Sequence, residues 1–306
     1  MKRTKNPAKE AEYRKREADL VAQMTLHEKV SQMLSWAPAI ERLGIPAYNW
    51  WSEGIHGVGR AGTATVFPQA IGMAAAFDED MMEQVGNAIG VEARGKYNMC
   101  RAHGDRDIFK GLTVWAPNIN IFRDPRWGRG HETYGEDPFL TSRLGVRFVE
   151  GMQGDDPDYL QAAACAKHFA VHSGPESDRH HFNAIVSKQD LWETYLPAFR
   201  ALVKEAGVEA VMGAYNRTNG EPCCGSKTLL KDILRDKWHF DGHVTSDCWA
   251  IKDFHTGHMV TDGPVESVAL AVNNGCDLNC GDLYVYLEQA VAEGKLSEEK
   301  IDESLT

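Results

Sequence analysis

Asp247 lies in the stretch "GHVTSDCWAI", Gly242 to Ile251, just after the β-branched pair Val244 and Thr245. Such a run reads as a strand ending in a carboxylate. Two readings are open. An Asp at the mouth of a helix is usually an N-cap; an Asp at the carboxyl end of a barrel strand is often catalytic. Other polar residues stand at equivalent points. "TVWAPN" leads into "INIFRDPRWGRGHETYGEDP", "AAACA" into Lys167 and His168, and "AVMGA" into Tyr215 and Asn216. Taken singly, each has a bland explanation. The Lys-His pair is a core histidine beside a surface lysine, and Tyr215-Asn216 is an ordinary turn. Asp124, Arg126, Arg129, Glu132, Glu136 and Asp137 form a self-paired loop, and Trp50, Trp51, Trp115, Trp127 and Trp249 are core. Their joint placement after strands favours one shared site. Cations, carboxylates and aromatic rings together suit a small polyhydroxylated ligand. Hydroxyls need fixed hydrogen-bond partners, and sugar faces stack on Trp.

The elements that must position these residues alternate along the chain. Thr25 with Glu28 is a capping box opening "LHEKVSQML". A charged helix, roughly Ala8 to Gln23, precedes it, and residues 1–24 read as an extension outside the main domain, 25–306. "DEDMMEQVGNAIGVEARGKYN" has helical spacing. "PFLTSRLGVRFVEGMQG" is a helix from Pro138 to a stop at Gly154. "SKQDLWETYLPAFRALVKEAG" is a helix opened by Ser187, bent at Pro197 and stopped at Gly207. Between helices stand the strands "LTVWAPN", "QAAACAKHFA", "VEAVMGAYN", "HVTSDC" and "CDLNC". This alternation predicts an α/β fold with a parallel sheet, and so many units favour a (β/α)8 TIM-type barrel over an open sheet. No G-x-G-x-x-G or P-loop pattern supports a nucleotide site, and no cofactor is expected.

The bulk properties exclude other classes. The 306 residues carry a net charge of −11, which argues against a nucleic-acid binder. No run approaches eighteen apolar residues, so no membrane span is expected. The N-terminus lacks the apolar core of a secretory signal, implying a cytoplasmic chain or the mature form of a processed one. Seven cysteines without a C-x-x-C read as buried thiols in a reducing compartment, and no metal site is expected. Cys248 reads as a thiol in a pocket wall, and Trp249 as core or pocket wall.

From about Met24 onward the sequence resembles glycoside hydrolase family 3, and within it the β-xylosidases, with β-glucosidases next. The resemblance is carried by "YNWWSEGIHGVG", "VFPQAIGMAAAFD", "DPRWGRGHETYGEDP", "ACAKHFAVHSGPESDRHHF", "VMGAYNRTNGEPCCGS" and "GHVTSDCWAI". It implies a barrel domain and a retaining mechanism with Asp247 as nucleophile. It further implies that Lys167, His168 and Arg129 hold sugar hydroxyls, that Tyr215 sits under the reaction centre, and that Arg179 adds a contact. Where many glucosidases have Asp, "WWSEGIHG" offers Glu53. Its extra methylene would fill the space a hexose C6 group needs, favouring a pentose such as xylose.

In two-domain relatives the acid/base Glu comes from a C-terminal α/β sandwich. Here "SEEKIDESLT" stops inside a helical pattern, which reads as a cut at a domain edge. A C-terminal domain or second chain is then expected to supply the acid/base. Single-domain N-acetylglucosaminidases use an Asp-x-His pair after "KHF", and Asp178 and His180 stand at the matching distance. The alternative is that Arg179 and His180 are substrate contacts or loop structure. Glu132 and Glu136 are weaker candidates. The expected activity is that of a retaining exo-acting β-xylosidase on xylo-oligosaccharides. The alternatives are a β-glucosidase, an α-L-arabinofuranosidase, or a catalytically incomplete sugar-binding domain.

Overall fold

The computed structural model describes residues 4–306, so the first three residues of the expected extension lie outside the described residues. Helix α1, Pro7–Val21, starts where Asn6 accepts the Ala8 N–H and Pro7 takes the first turn. Helix α2, Leu26–Gln32, has the expected capping box, Thr25 and Glu28 each bonding the other's backbone. A short helix, α3, spans Ala70–Ala74. The long helix α4, Glu79–Ala102, is capped by Asp78, and α5, Pro138–Gln153, by Asp137. These two pack backbone to backbone. A Cβ on Gly86 would stand 2.3 Å from the Phe148 carbonyl oxygen, so only glycine fits there.

The strands are short. They are β1 Trp36–Ala37, β2 Tyr48–Asn49, β3 Thr113–Val114, β4 Ala163–Phe169, β5 Asn183–Ala184, β6 Ala210–Gly213, β7 Arg217–Thr218, β8 Glu221–Pro222 and β9 His243–Ser246. Strands β3, β4, β6 and β9 form one four-stranded parallel sheet in that order. A regular eight-stranded barrel is therefore more than the described residues form. The parallel sheet is half of one, and single-residue bridges extend it. Ser52 bridges Val114, Thr245 bridges Leu278, and Leu34 bridges Asn279. The antiparallel pair β1–β2 stands between the Leu34 and Ser52 bridges. The reason is local: polar and Gly-rich loops interrupt the early segments after only two or three paired residues.

Side chains alternate across this sheet. Ala164, Ala166, Val211 and Val244 join the main core under the helices. Cys165, Ala210 and Met212 point the other way, into a smaller cluster with Trp115, Trp50 and Trp51. Both faces are buried, as a helix-covered parallel sheet requires.

The helical stretch 188–206 begins under a Ser187 cap and ends at Gly207, whose φ of 63° is the left-handed stop. Before Pro197 the turn widens, with the Leu196 N–H reaching the Leu191 carbonyl five residues back. This is the local response to a residue with no N–H to donate. Further helices span Lys227–Lys237, Pro264–Asn273, Leu287–Ala292 and Glu298–Leu305. A small sheet, β5–β7–β8, joins the loop after β4 to the loop after β6, a feature with no clear sequence signal. Among the described residues no helix is long and apolar enough to cross a membrane.

The cysteine expectation is corrected for one pair. Cys248 and Cys280 form a disulfide, leaving Cys100, Cys165, Cys223, Cys224 and Cys276 free. The Thr245–Leu278 bridge brings the two following segments together, and the Cα atoms stand 4.4 Å apart. A separation of 32 residues carried no trace of this in the sequence. Cys248 is therefore not a thiol in the wall.

Candidate active site

Asp247 extends the inward-facing series of β9. His243 touches Trp50, Thr245 is fully buried, and Asp247 is next on the same face at the strand's end. Its Oδ1 accepts the N–H of Cys248, at 2.8 Å. The nearest helix, Asp253–Thr256, has no side-chain cap, so the N-cap reading of Asp247 is excluded. Oδ2 is buried and has no hydrogen-bond partner among the described residues. Burial pushes the carboxyl above its ordinary range, while the charges of Arg129, Lys167 and Arg179 pull it back.

Arg129 and Lys167 supply those charges from two different strand ends. An Arg129 guanidinium nitrogen lies 3.8 Å from Asp247 Oδ2. The rest of that group is gripped by Glu132 in two bonds of 2.8 Å. Burial alone would raise Glu132. The bond to Arg129 overrides it and holds the carboxyl at about 2, so Glu132 stays ionised as the arginine's anchor. Lys167 is 4% exposed and lies on the same inward face as Cys165. The register of β4 against β6 shifts between Lys167 and Phe169. Strict alternation is relieved there, so His168 also reaches the site.

Two asparagines hold two histidines: Asn216, read from the sequence at a strand end, and Asn120, which the sequence did not single out. Asn120 Nδ2 donates to the carbonyls of His168 and Ala170, at 2.8 and 3.1 Å. Its Oδ1 accepts the His168 backbone N–H at 2.8 Å and faces His168 Nδ1 at 3.0 Å. The amide is thus oriented by the backbone, and His168 must carry its proton on Nδ1. His168 is fully buried, and burial and nearby Arg129 hold it neutral. Its bare Nε2 stands 3.6 Å from Asp247 Oδ2. The same wiring recurs next to it. Asn216 Nδ2 donates to the carbonyls of Val171 and Arg217, both at 2.8 Å, and its Oδ1 faces His172 Nδ1 at 3.0 Å. The signals available in sequence were "NIN" after β3 and Asn216 at a strand end, but an asparagine's partners are not readable from its position.

Tyr215 follows β6 and is 8% exposed. Burial and the charge of Asp247 push its phenol up, so it stays protonated. Arg179 lies over its ring at 5.5 Å, and His180 meets it edge-on at 5.0 Å. Arg179 is tied to Glu176, whose other oxygen accepts the Gly128 N–H, docking this loop on the Arg129 loop. His180 pairs with Asp253, Nδ1 to Oδ2 at 2.8 Å, and not with Asp178. Burial raises Asp253, opposed by its bond to His180. Asp178 lies in the same loop and contributes backbone bonds to His181 and Phe182.

Glu53 enters from the β2 side. Its carboxylate accepts the Trp51 indole N–H at 2.7 Å. The Trp51 ring stacks on Trp115 at 5.5 Å, against the cluster that holds Cys248 and Cys280. Glu53 is thus linked, through Trp51, to the cluster that includes Cys248, the residue after Asp247. Trp115 and Trp127 are buried, as a core reading requires. Trp249 is not: it is 50% exposed and held at a φ of 61°, because its backbone follows the disulfide and donates to the Cys280 carbonyl. Among the described residues no group of three His, Cys, Asp or Glu side chains is placed to hold a metal ion. A separate cavity of about 1310 Å3 lies by α1 and the strand starts; Asp247 does not line it.

Residues 17–306 match the glycosyl hydrolase family 3 N terminal domain. The chain is 49% identical over 295 residues to a xylan 1,4-beta-xylosidase of Xylanibacter ruminicola, covering 94% of this chain and 34% of that protein. A solved family 3 exo-beta-xylosidase, in complex with a xylobiose aziridine activity-based probe, matches with a TM-score of 0.87 at 33% identity. That match covers 95% of this chain and 39% of the other. A beta-glucosidase from Erythrobacter marinus matches with a TM-score of 0.82 at 29% identity, over 95% of this chain and 43% of the other. The chain spans between a third and a half of the length of these relatives.

Proposed function

This chain belongs to glycosyl hydrolase family 3, and from that we propose that it carries the nucleophile half of a retaining exo-acting β-xylosidase. The observation that carries the reading is Asp247 Oδ2, a buried and unpaired carboxylate oxygen at a strand end, ringed by Arg129, Lys167 and His168. In this reading residues 25–306 are an irregular (β/α) barrel, with 1–24 an extension outside it.

Asp247 attacks the anomeric carbon of a terminal xylose from below the ring. Arg129 and Lys167 keep it ionised against burial, and Tyr215 packs beside it. A retaining glycosidase needs a second carboxyl about 5–5.5 Å from the first. In this reading a C-terminal domain or second chain supplies it, protonating the departing sugar and then activating water. Should the barrel by itself cleave a poor leaving group, His180 would take that role, with Asp253 rather than Asp178 behind it. Substrate hydroxyls are held by Arg129, Lys167, His168 and Arg179, and Glu53 closes the space a hexose C6 group would need. The second reading, a β-glucosidase, rests on the fold likeness to the Erythrobacter enzyme.

The test compares dinitrophenyl xyloside and glucoside, whose leaving groups need little acid assistance. Xyloside should be preferred, and intact mass should show a pentosyl adduct on Asp247. Asp247→Ala should lower xyloside turnover by ~1,000-fold or more. Unchanged turnover in that variant sinks the assignment, and a glucoside preference sinks the specificity.

A further inference from the structure

Resting on that reading of the site, we infer that His172 is a second sugar-binding acceptor: its Nε2 takes the hydrogen of one ring hydroxyl, beside His168. Three observations carry this. First, Asn216 fixes the tautomer. Its amide nitrogen is committed to two backbone carbonyls, so its oxygen can only accept from His172 Nδ1–H. Nε2 is then a bare lone pair. Burial lowers the imidazole to about 3, so it does not gain a proton in the neutral range. Second, Nε2 is buried and has no partner among the described residues, in a side chain only 4% exposed. A buried acceptor without a partner calls for an explanation, and one that faces the Asp247 site rather than the core is open to a ligand hydroxyl. Third, the ring is part of the site's wall. It meets His168 at 5.0 Å and Trp127 at 5.3 Å, both edge-on, and Tyr215 at 6.4 Å.

Counting hydrogen-bond roles says why a second neutral acceptor is needed. Arg129, Lys167 and Arg179 only donate. Each sugar hydroxyl also has a hydrogen to place, and a pentopyranose has three hydroxyls besides the anomeric position. Glu132 is taken up by Arg129 and Asn118, and Glu176 by Arg179 and Gly128. Asp247 is reserved for the anomeric carbon. His168, His172 and Glu53 then match three hydroxyl hydrogens with three acceptors.

The test uses His172→Phe, which keeps a flat ring and removes the lone pair, in the full chain. Labelling rates at Asp247 are measured by intact mass for dinitrophenyl xyloside and its 2-, 3- and 4-deoxy analogues. The variant should react on the order of tenfold more slowly with the parent sugar. That loss should vanish for the one analogue lacking the hydroxyl that His172 receives. Asn216→Leu should give the same pattern. An equal loss on all four sugars, or no loss, overturns the inference while leaving the proposed function standing. A wild-type chain that binds and reacts with no xyloside overturns both.

Discussion

Asp247 Oδ2 and His168 Nε2 stand 3.6 Å apart, and neither atom has a hydrogen-bond partner among the described residues. They do not bond each other, because Asn120 keeps the only ring proton on the far nitrogen. Two buried acceptors thus stand side by side with no proton between them.

Asn120→Leu should undo that arrangement. It removes the amide oxygen that fixes His168 and strands the His168 backbone N–H. Turnover of an aryl xyloside should fall by roughly 10–100-fold, equivalent to ~1.4–2.7 kcal/mol. Unaltered kinetics in a well-folded variant would count against the tautomer argument.

Asp247 should also weaken the fold at neutral pH. Its folded pKa is raised above 3.8, chiefly by burial, so the folded state favours the protonated form. Its favourable contribution is present below pH ~3.8 and is lost as pH rises through the higher folded value. Asp247→Asn should therefore melt roughly 1–3 °C higher than the parent at pH 7. The gap should close as pH falls toward 4, as followed by circular dichroism. A lower melting point at pH 7 would reverse the sign and refute it.

The disulfide links the residue after the proposed nucleophile to a neighbouring segment. Cys280→Ser should lower stability by ~2–4 kcal/mol in denaturant titration. It should also slow xyloside turnover, since the Cys248 N–H holds Asp247 Oδ1. Alkylation of unfolded, unreduced protein should modify five of the seven cysteines. Seven modified thiols would show that the bond is absent.

Glu53 should control sugar size. Shortening it in Glu53→Asp should shift the glucoside-to-xyloside ratio toward glucoside by on the order of tenfold, the effect of about one methylene of space. Trp51→Phe removes the indole N–H that holds the carboxylate, and should raise KM for both sugars. A ratio that does not move in Glu53→Asp leaves the pentose argument without support.

Much of this was legible in one dimension. The capping box at Thr25, the Pro138 start, the Ser187 cap and the Gly207 stop are short-range signals, and each is where it was read. So is the strand-end position of Asp247, because the two-residue period of β9 puts His243, Thr245 and Asp247 on one face.

What sequence determines by itself is whatever depends on neighbours a few residues away: helix ends, strand faces, and which side chains stand at strand ends. The tertiary structure alone decided the rest. The Cys248–Cys280 bond, the hold of Asn120 on His168 and of Asn216 on His172, and the exchange of Asp178 for Asp253 behind His180 each join separate segments. Such pairings depend on how β3, β4, β6 and β9 lie side by side, and residue spacing along the chain does not encode a distance across the sheet.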